Sequence, residues 1–225
     1  MTTPLILLGY GGNVVDVLDM VDDLNDAADA DGQRYEVLGY LDPRDELQGT
    51  APHGYPVLGR LPDAPRYVQQ YRDVRFTTWI GRVDTYRLRP ERIASLGVPP
   101  ERFESLVHPT SYLSRRATLG RGALVFQQCT VSNQAVLGDH VVLLPQTVIS
   151  HDCVLGDYAV VTSACIVGSE AKVGRNAYLG TGCAMLPGVT IGAGSLVGIG
   201  AVVLRDVAPD TVVVGNPARV LRATR

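Results

Sequence analysis

The second half of the chain repeats with a period of six. From Leu113 to Val203 every sixth residue is aliphatic, sixteen in succession without an insertion. Two residues before each stands something small or compact, among them Ala117, Ala123, Ala135, Thr147, Ala159, Ala177 and Ser195. Residues two apart in a strand share a face, so both point inward and the one between points out. Six residues hold a short strand and a sharp bend, but no hairpin return. Gly follows the aliphatic at eight sites, including Gly138, Gly156, Gly174 and Gly192. The expectation is that these glycines supply the positive φ of the bend. A unit this small buries nothing alone and must stack on its neighbours, which defines a solenoid.

The first half has a different rhythm. An apolar run at Pro4–Leu8 ends in Gly9-Tyr10-Gly11-Gly12-Asn13. A helical pattern follows, with Val14, Val17, Leu18, Val21 and Leu24 on one face. Strands are expected at Tyr35–Leu41, Val57–Gly59, Arg75–Ile80 and Phe103–Val107, and helices at Ala64–Tyr71 and Asp84–Leu96. Alternating strands and helices predict a parallel, Rossmann-like sheet. The opening strand, Gly-rich turn and helix suit a nucleotide, because glycines admit close backbone approach and a helix N-terminus favours an anion. A turn without ligand stays open. The third Gly of a dinucleotide fingerprint is replaced by Val14, which argues against an NAD enzyme. Asp42, at the end of the second strand and before Pro43, is either an acceptor for a ribose or base or a turn initiator. The domain boundary falls near residue 108, giving domains 1–107 and 108–225.

Composition narrows the classes. With 225 residues and 46% hydrophobic content, two modest domains each have material for a core. A net charge of −3 without a basic run argues against nucleic acid as a partner. No segment reaches the ~18 apolar residues of a membrane span. The N-terminus lacks a signal-peptide pattern, so a cytoplasmic protein is expected. Cys129, Cys153, Cys165 and Cys183 all fall at the small inward position of the repeat. They read as core rather than as disulfides or metal ligands. Of the four histidines, His53 is expected to be solvated, His108 to position the first coil, and His140 to lie on the surface. His151 stands in Ile149-Ser150-His151-Asp152-Cys153, at a corner of the coil. Histidine suits proton transfer near neutral pH, and Asp152 can orient its imidazole. By itself a corner histidine reads as a solvated one.

The repeat resembles the hexapeptide-repeat acyltransferases. The resemblance implies a left-handed parallel β-helix with eighteen residues per coil, in a homotrimer. Gly9-Tyr10-Gly11-Gly12, Gly39-Tyr40-Leu41-Asp42, Pro56-Val57-Leu58-Gly59, Ile80-Gly81 and Val107-His108-Pro109-Thr110 narrow it. The chain is similar to the sialic-acid O-acetyltransferase and bacillosamine N-acetyltransferase group, which joins a nucleotide-sugar-binding α/β domain to the β-helix. In that group the catalytic histidine opens a segment matched by His151-Asp152-Cys153-Val154-Leu155-Gly156-Asp157. The resemblance therefore implies His151 as general base and Asp152 as its orienting partner.

It also implies acetyl-CoA, or another acyl-CoA, as co-substrate, with no metal. Gly168, Ser169, Val160, Gly180, Arg205, Pro217 and Arg219 become coenzyme contacts. Arg205 and Arg219, with Lys172, Arg175 and Arg222, are candidates for its phosphates. Gly11, Gly12, Asn13, Asp42 and Asn133 become substrate contacts. Three positions depart from the group, which commonly has His at 13 and 160 and Gly at 169. Asn133 and Ser169 are expected one coil before and one coil after His151. Competing readings are a β-helix carbonic anhydrase, for which no histidine cluster is present, and a non-catalytic sugar-nucleotide-binding or scaffold protein.

The outward positions give a further expectation. Val136, Val142, Val148, Val154, Val160 and Ile166 are all apolar. Contiguous exposed apolar surface marks an interface, so these faces are expected to bury in a three-fold trimer.

Overall fold

The computed structural model describes residues 2–29, 32–78 and 83–224. The chain forms two compact units, Met1–Glu104 and Ser105–Arg225. The first is built from β1 (Thr2–Leu8), α1 (Gly12–Ala27), β2 (Arg34–Leu41), β3 (Val57–Gly59), α2 (Ala64–Gln70), β4 (Arg75–Thr78) and α3 (Arg89–Ala94). Its sheet has the order β3-β2-β1-β4, parallel throughout. Leu5, Ile6, Leu7 and Leu8 are all buried, as a strand covered on both faces requires. α1 buries Val14, Val17, Leu18 and Val21 and turns Asp16, Asp19, Asp22 and Asp23 outward.

Two elements differ from expectation. The Asp84–Leu96 helix is only α3, preceded by a 3-10 turn at Tyr86–Leu88, because Pro90 sets the start of the α-helix and Gly97 lies just past its end. The expected strand Phe103–Val107 divides. Phe103 bridges Phe76 in the first unit, while β5 (Leu106–Val107) pairs with Leu124–Val125 in the second. Ile80 and Gly81 lie outside the described residues.

In the second unit sixteen two-residue strands, β6 to β21, begin every sixth residue from Tyr112–Leu113 to Val202–Val203. Val136 pairs with Thr118 on one side and Val154 on the other, so each coil takes eighteen residues and three strands. The strands stack into three parallel sheets, a left-handed parallel β-helix. From Cys129 to Val203 every inward aliphatic and every small residue before it is buried. All four cysteines sit in this core as free thiols. Burial pushes the Cys129 and Cys153 thiols up, away from reactive thiolate. The core ends under β22 (Thr211–Val214), which extends one sheet in parallel, and β23 (Arg219–Ala223), which returns antiparallel to it.

The expected role of the repeat glycines is wrong. The residue with positive φ is the third after the aliphatic, and from Gln128 to Asn176 it is never Gly: Gln134 has φ 60, Asp152 φ 60 and Tyr158 φ 63. This conformation is unfavourable for side-chain-bearing residues, but its amide is placed to bond the preceding coil. Asp152 N donates to Asn133 O at 3.1 Å and Glu170 N to His151 O at 3.0 Å. The glycine after the aliphatic answers to a different constraint. A Cβ on Gly156 would lie 2.7 Å from Arg175 N in the next coil.

The outward apolar stripe is also interrupted. Val136, Val154 and Ile166 are 39%, 41% and 52% exposed, but Val142 and Val160 are already buried within the chain. His140 is not a surface residue either. It is buried and stacked on Tyr158, ring centroids 5.2 Å apart. His53 is exposed, and His108 is buried with Nδ1 beside Thr110 N at 3.1 Å. Among the described residues no helix is long and apolar enough to cross a membrane.

Candidate active site

The corner after Val148–Ile149 presents His151 to solvent. The left-handed conformation of Asp152 folds its side chain back on its neighbour, and His151 Nδ1 lies 2.7 Å from Asp152 Oδ2. The ring is half exposed, which leaves Nε2 as the nitrogen available to a substrate. The other carboxylate oxygen, Asp152 Oδ1, accepts a hydrogen bond from Gln134 Nε2 at 2.8 Å. Gln134 is the equivalent corner residue one coil earlier. A chain Gln134–Asp152–His151 thus fixes the imidazole from one side. Sequence reasoning missed Gln134. Its signal was its offset of eighteen residues from Asp152.

The stacked neighbours fall where the coil length puts them. Asn133 O accepts from Asp152 N, His151 O from Glu170 N, and Ser169 O from Gly188 N at 2.8 Å. Among the described residues no hydrogen bond engages the Ser169 amide N–H. An amide in that position can donate to an oxyanion. Gly168 and Gly180 lie against the coil above, where a Cβ would meet Met185 O at 2.6 Å and Val197 O at 2.7 Å. Arg205, Pro217 and Arg219 are exposed toward the C-terminal end. Val160 is apart from these. Its side chain is enclosed by the chain, so it has no surface to offer a ligand. Among the described residues no group of three or more His, Cys, Asp and Glu is placed to hold a metal.

The candidate substrate residues of the first unit gather at the turn between β1 and α1. Gly11 caps α1 and has open space where a side chain would be, Gly12 begins the helix, and Asn13 is exposed in its first turn. Asp42 is buried below this turn. It accepts from Tyr10 N at 2.7 Å and from Arg44 Nε at 2.8 Å, so both its oxygens serve the protein itself. Arg44 in turn lies over the Tyr10 ring, 5.5 Å from its centroid. Burial works to raise the Asp42 carboxyl, but the bonds from Arg44 and Tyr10 outweigh it and hold it below the usual carboxylate range. A carboxyl depressed by folding stabilises the fold above its unfolded pKa, and that contribution is lost as pH falls through the folded value. Asp42→Asn is therefore expected to lower stability at neutral pH and to narrow its gap to wild type below about pH 4, read by denaturant titration across pH. A constant gap down to strong acid would show that the carboxylate charge contributes nothing.

No protein-family model matches the chain, and no curated protein matches it. Solved structures do, over nearly its whole length. The acetyltransferase domain of PglB from Neisseria gonorrhoeae superposes with a TM-score of 0.82 at 26% identity, covering 97% of this chain and 100% of that one. That domain is also known in complex with acetyl coenzyme A. PerB from Caulobacter crescentus, in complex with CoA and GDP-perosamine, gives a TM-score of 0.81 at 26% identity and covers 97% of each chain. WeeI from Acinetobacter baumannii, at 23% identity and a TM-score of 0.78, shares the fold.

A small parallel α/β unit joined to a left-handed β-helix with a His-Asp corner defines a hexapeptide-repeat acyltransferase. Over nearly its whole length the chain is similar to sugar N-acetyltransferases of the hexapeptide-repeat group.

Proposed function

We propose that the chain transfers an acetyl group from acetyl-CoA to the amino group of a nucleotide-linked sugar, with His151 as general base. The observation that carries this is the corner itself: Nδ1 of His151 tied to Asp152 at 2.7 Å on a half-exposed ring. In this reading the neutral sugar amine attacks the thioester carbonyl. His151 Nε2 takes the amine proton, and the C–S bond breaks to release CoA as a thiolate that is then protonated. Asp152 stabilises the imidazolium that forms, the logic of an oriented base. The Ser169 amide donates to the carbonyl oxygen as negative charge develops there. The core burial of all four cysteines supports direct transfer, since a covalent acyl-enzyme on sulfur needs an accessible thiol.

The amine acceptor is favoured over a hydroxyl by the structural likeness to an N-acetyltransferase, which binds GDP-perosamine; its histidine-to-alanine and histidine-to-asparagine variants were obtained with both CoA and GDP-perosamine. Residues 1–107 hold the nucleotide sugar near the Gly9–Asn13 turn, and residues 108–225 carry the transfer chemistry. Gly168, Ser169, Gly180, Arg205, Pro217 and Arg219 lie along the coenzyme. The working form is a homotrimer, supported by the exposed Val136, Val154 and Ile166. Four free cysteines suit a reducing, cytoplasmic compartment.

A thiol-release assay tests the reading by crossing UDP-, dTDP-, GDP- and CMP-linked sugars with several acyl-CoAs. CoA release is expected with an amino sugar and acetyl-CoA, and none with the matching hydroxyl sugar. Release only with hydroxyl sugars would reassign the acceptor atom, and no release with any pair would end the proposal. A stable monomer by light scattering would remove the trimer.

A further inference from the structure

We infer that Arg116, with the cavity beside it, holds an anionic oxyacid group of the acceptor two coils away from the acylated atom. The inference rests on the acyl-transfer reading above. A cavity of about 390 Å³ opens on the β-helix, lined by Tyr112, Ser114, Arg116, Ser132, Asn133 and Gln134. It lies directly N-terminal, along the coil axis, to the His151 corner. Gln134 N donates to Arg116 O at 3.2 Å, and Gln134 Nε2 donates to Asp152. Arg116, Gln134 and Asp152 are therefore one column on successive coils. With parallel strands about 4.8 Å apart, Arg116 starts about 10 Å from the base.

The charge distribution points to an anion. Every other lining side chain is a neutral hydroxyl or amide, so Arg116 sets the sign of the cavity. Arg116 is exposed, and among the described residues no carboxylate pairs with it. Arg44 and Arg121, by contrast, are paired with Asp42 and Asp139. A planar fork with unspent donors matches a phosphate or carboxylate, and the hydroxyls of Ser132 and Tyr112 can complete the set.

The direction of approach fits as well. In the acyl-transfer reading, with the Ser169 amide on the carbonyl oxygen, the thioester meets His151 from the Ser169 side, toward the C-terminal coils. The acceptor then comes from the Asn133 side, where the cavity is. A hexose spans less than two coils between the nitrogen it presents to His151 and its anomeric oxygen. A phosphate carried on that oxygen comes within reach of the long Arg116 side chain. A carboxylate on the sugar itself would use the same donors.

Arg116→Ala and Arg116→Lys test this with two kinds of acceptor, a nucleotide-diphosphate amino sugar and the same amino sugar free. Loss of the alanine variant's charge-assisted contact is expected to raise KM for the nucleotide sugar about tenfold or more, with kcat and the acetyl-CoA KM within about twofold and lysine intermediate. If phosphate is the group, KM for the neutral free sugar does not move. If carboxylate is, a free amino-uronate shows the same rise. An equal rise for the neutral sugar, or no rise for any anionic acceptor, overturns the inference. Calorimetry with inorganic pyrophosphate gives a readout independent of turnover. Binding weakened about tenfold in the alanine variant is expected, and equal affinity for both proteins counts against the site. A wild-type protein that binds pyrophosphate through Arg116 yet transfers no acyl group would refute the proposed function and leave the subsite standing.

Discussion

His151→Ala is expected to lower kcat about 10²- to 10⁴-fold at saturating acetyl-CoA and nucleotide sugar, with thermal unfolding and oligomeric state unchanged. The size follows from the task. In the proposed reaction a sugar amine attacking a thioester must lose a proton, and the role proposed for the ring nitrogen opposite Asp152 is to take it. The neutrality of the fold follows from exposure, because the half-exposed ring is no part of the buried core. Turnover within threefold of wild type would remove His151 from the chemistry. Gln134 supplies a graded companion. Gln134→Ala frees one oxygen of Asp152 but leaves the His151–Asp152 pair, so a loss of several-fold in kcat with an unchanged acetyl-CoA KM is expected. Restoration by Gln134→Asn is not, since the shorter amide does not span the coil spacing.

The second large effect concerns stability. Gly156→Ala is expected to cost about 1–3 kcal/mol, the range for an overpacked site, and to lower Tm clearly in calorimetry. The new methyl would lie 2.7 Å from Arg175 N and 2.9 Å from Arg175 Cα, and a backbone hydrogen-bonded to its neighbours has no free direction to move. Gly182→Ala is the control. Gly182 has φ +69 and open space around a Cβ, so its cost is only that of the left-handed conformation, about 1 kcal/mol. Nine consecutive corners, from Gln128 to Asn176, already carry that conformation with side chains. Equal destabilisation by the two substitutions would mean that close approach to the next coil adds nothing beyond the cost of a left-handed residue, and would remove it as the reason for glycine after the aliphatic.

That contrast shows where reading the chain stops. The period of six reports which residues share a face, because inward positions repeat whatever the coil's detailed path. A stacked solenoid, its core and the burial of Cys129, Cys153, Cys165 and Cys183 follow from that periodicity, whereas the left-handed β-helix with its eighteen-residue coil was implied by the family resemblance. The His151-Asp152-Cys153 segment was singled out by the family resemblance, since a corner histidine by itself reads as a solvated one.

Other features depend on what lies next to a residue in space. Val142 and Val160 alternate outward just as Val136 and Val154 do, yet only the latter pair meets solvent. His140 and His151 both stand at corners, but one is buried against Tyr158 and the other is half exposed. The Gln134–Asp152 bond joins residues eighteen apart, and the charge of the Arg116 cavity depends on the neighbours its lining lacks. The sequence by itself determined the six-residue repeat, its inward face and the corner position of His151, since these follow from local order along the chain. The tertiary structure decided which outward residues stay exposed, why the glycines stand where they do, and what holds His151 in place, because each of these is set by contact between coils rather than by order along one.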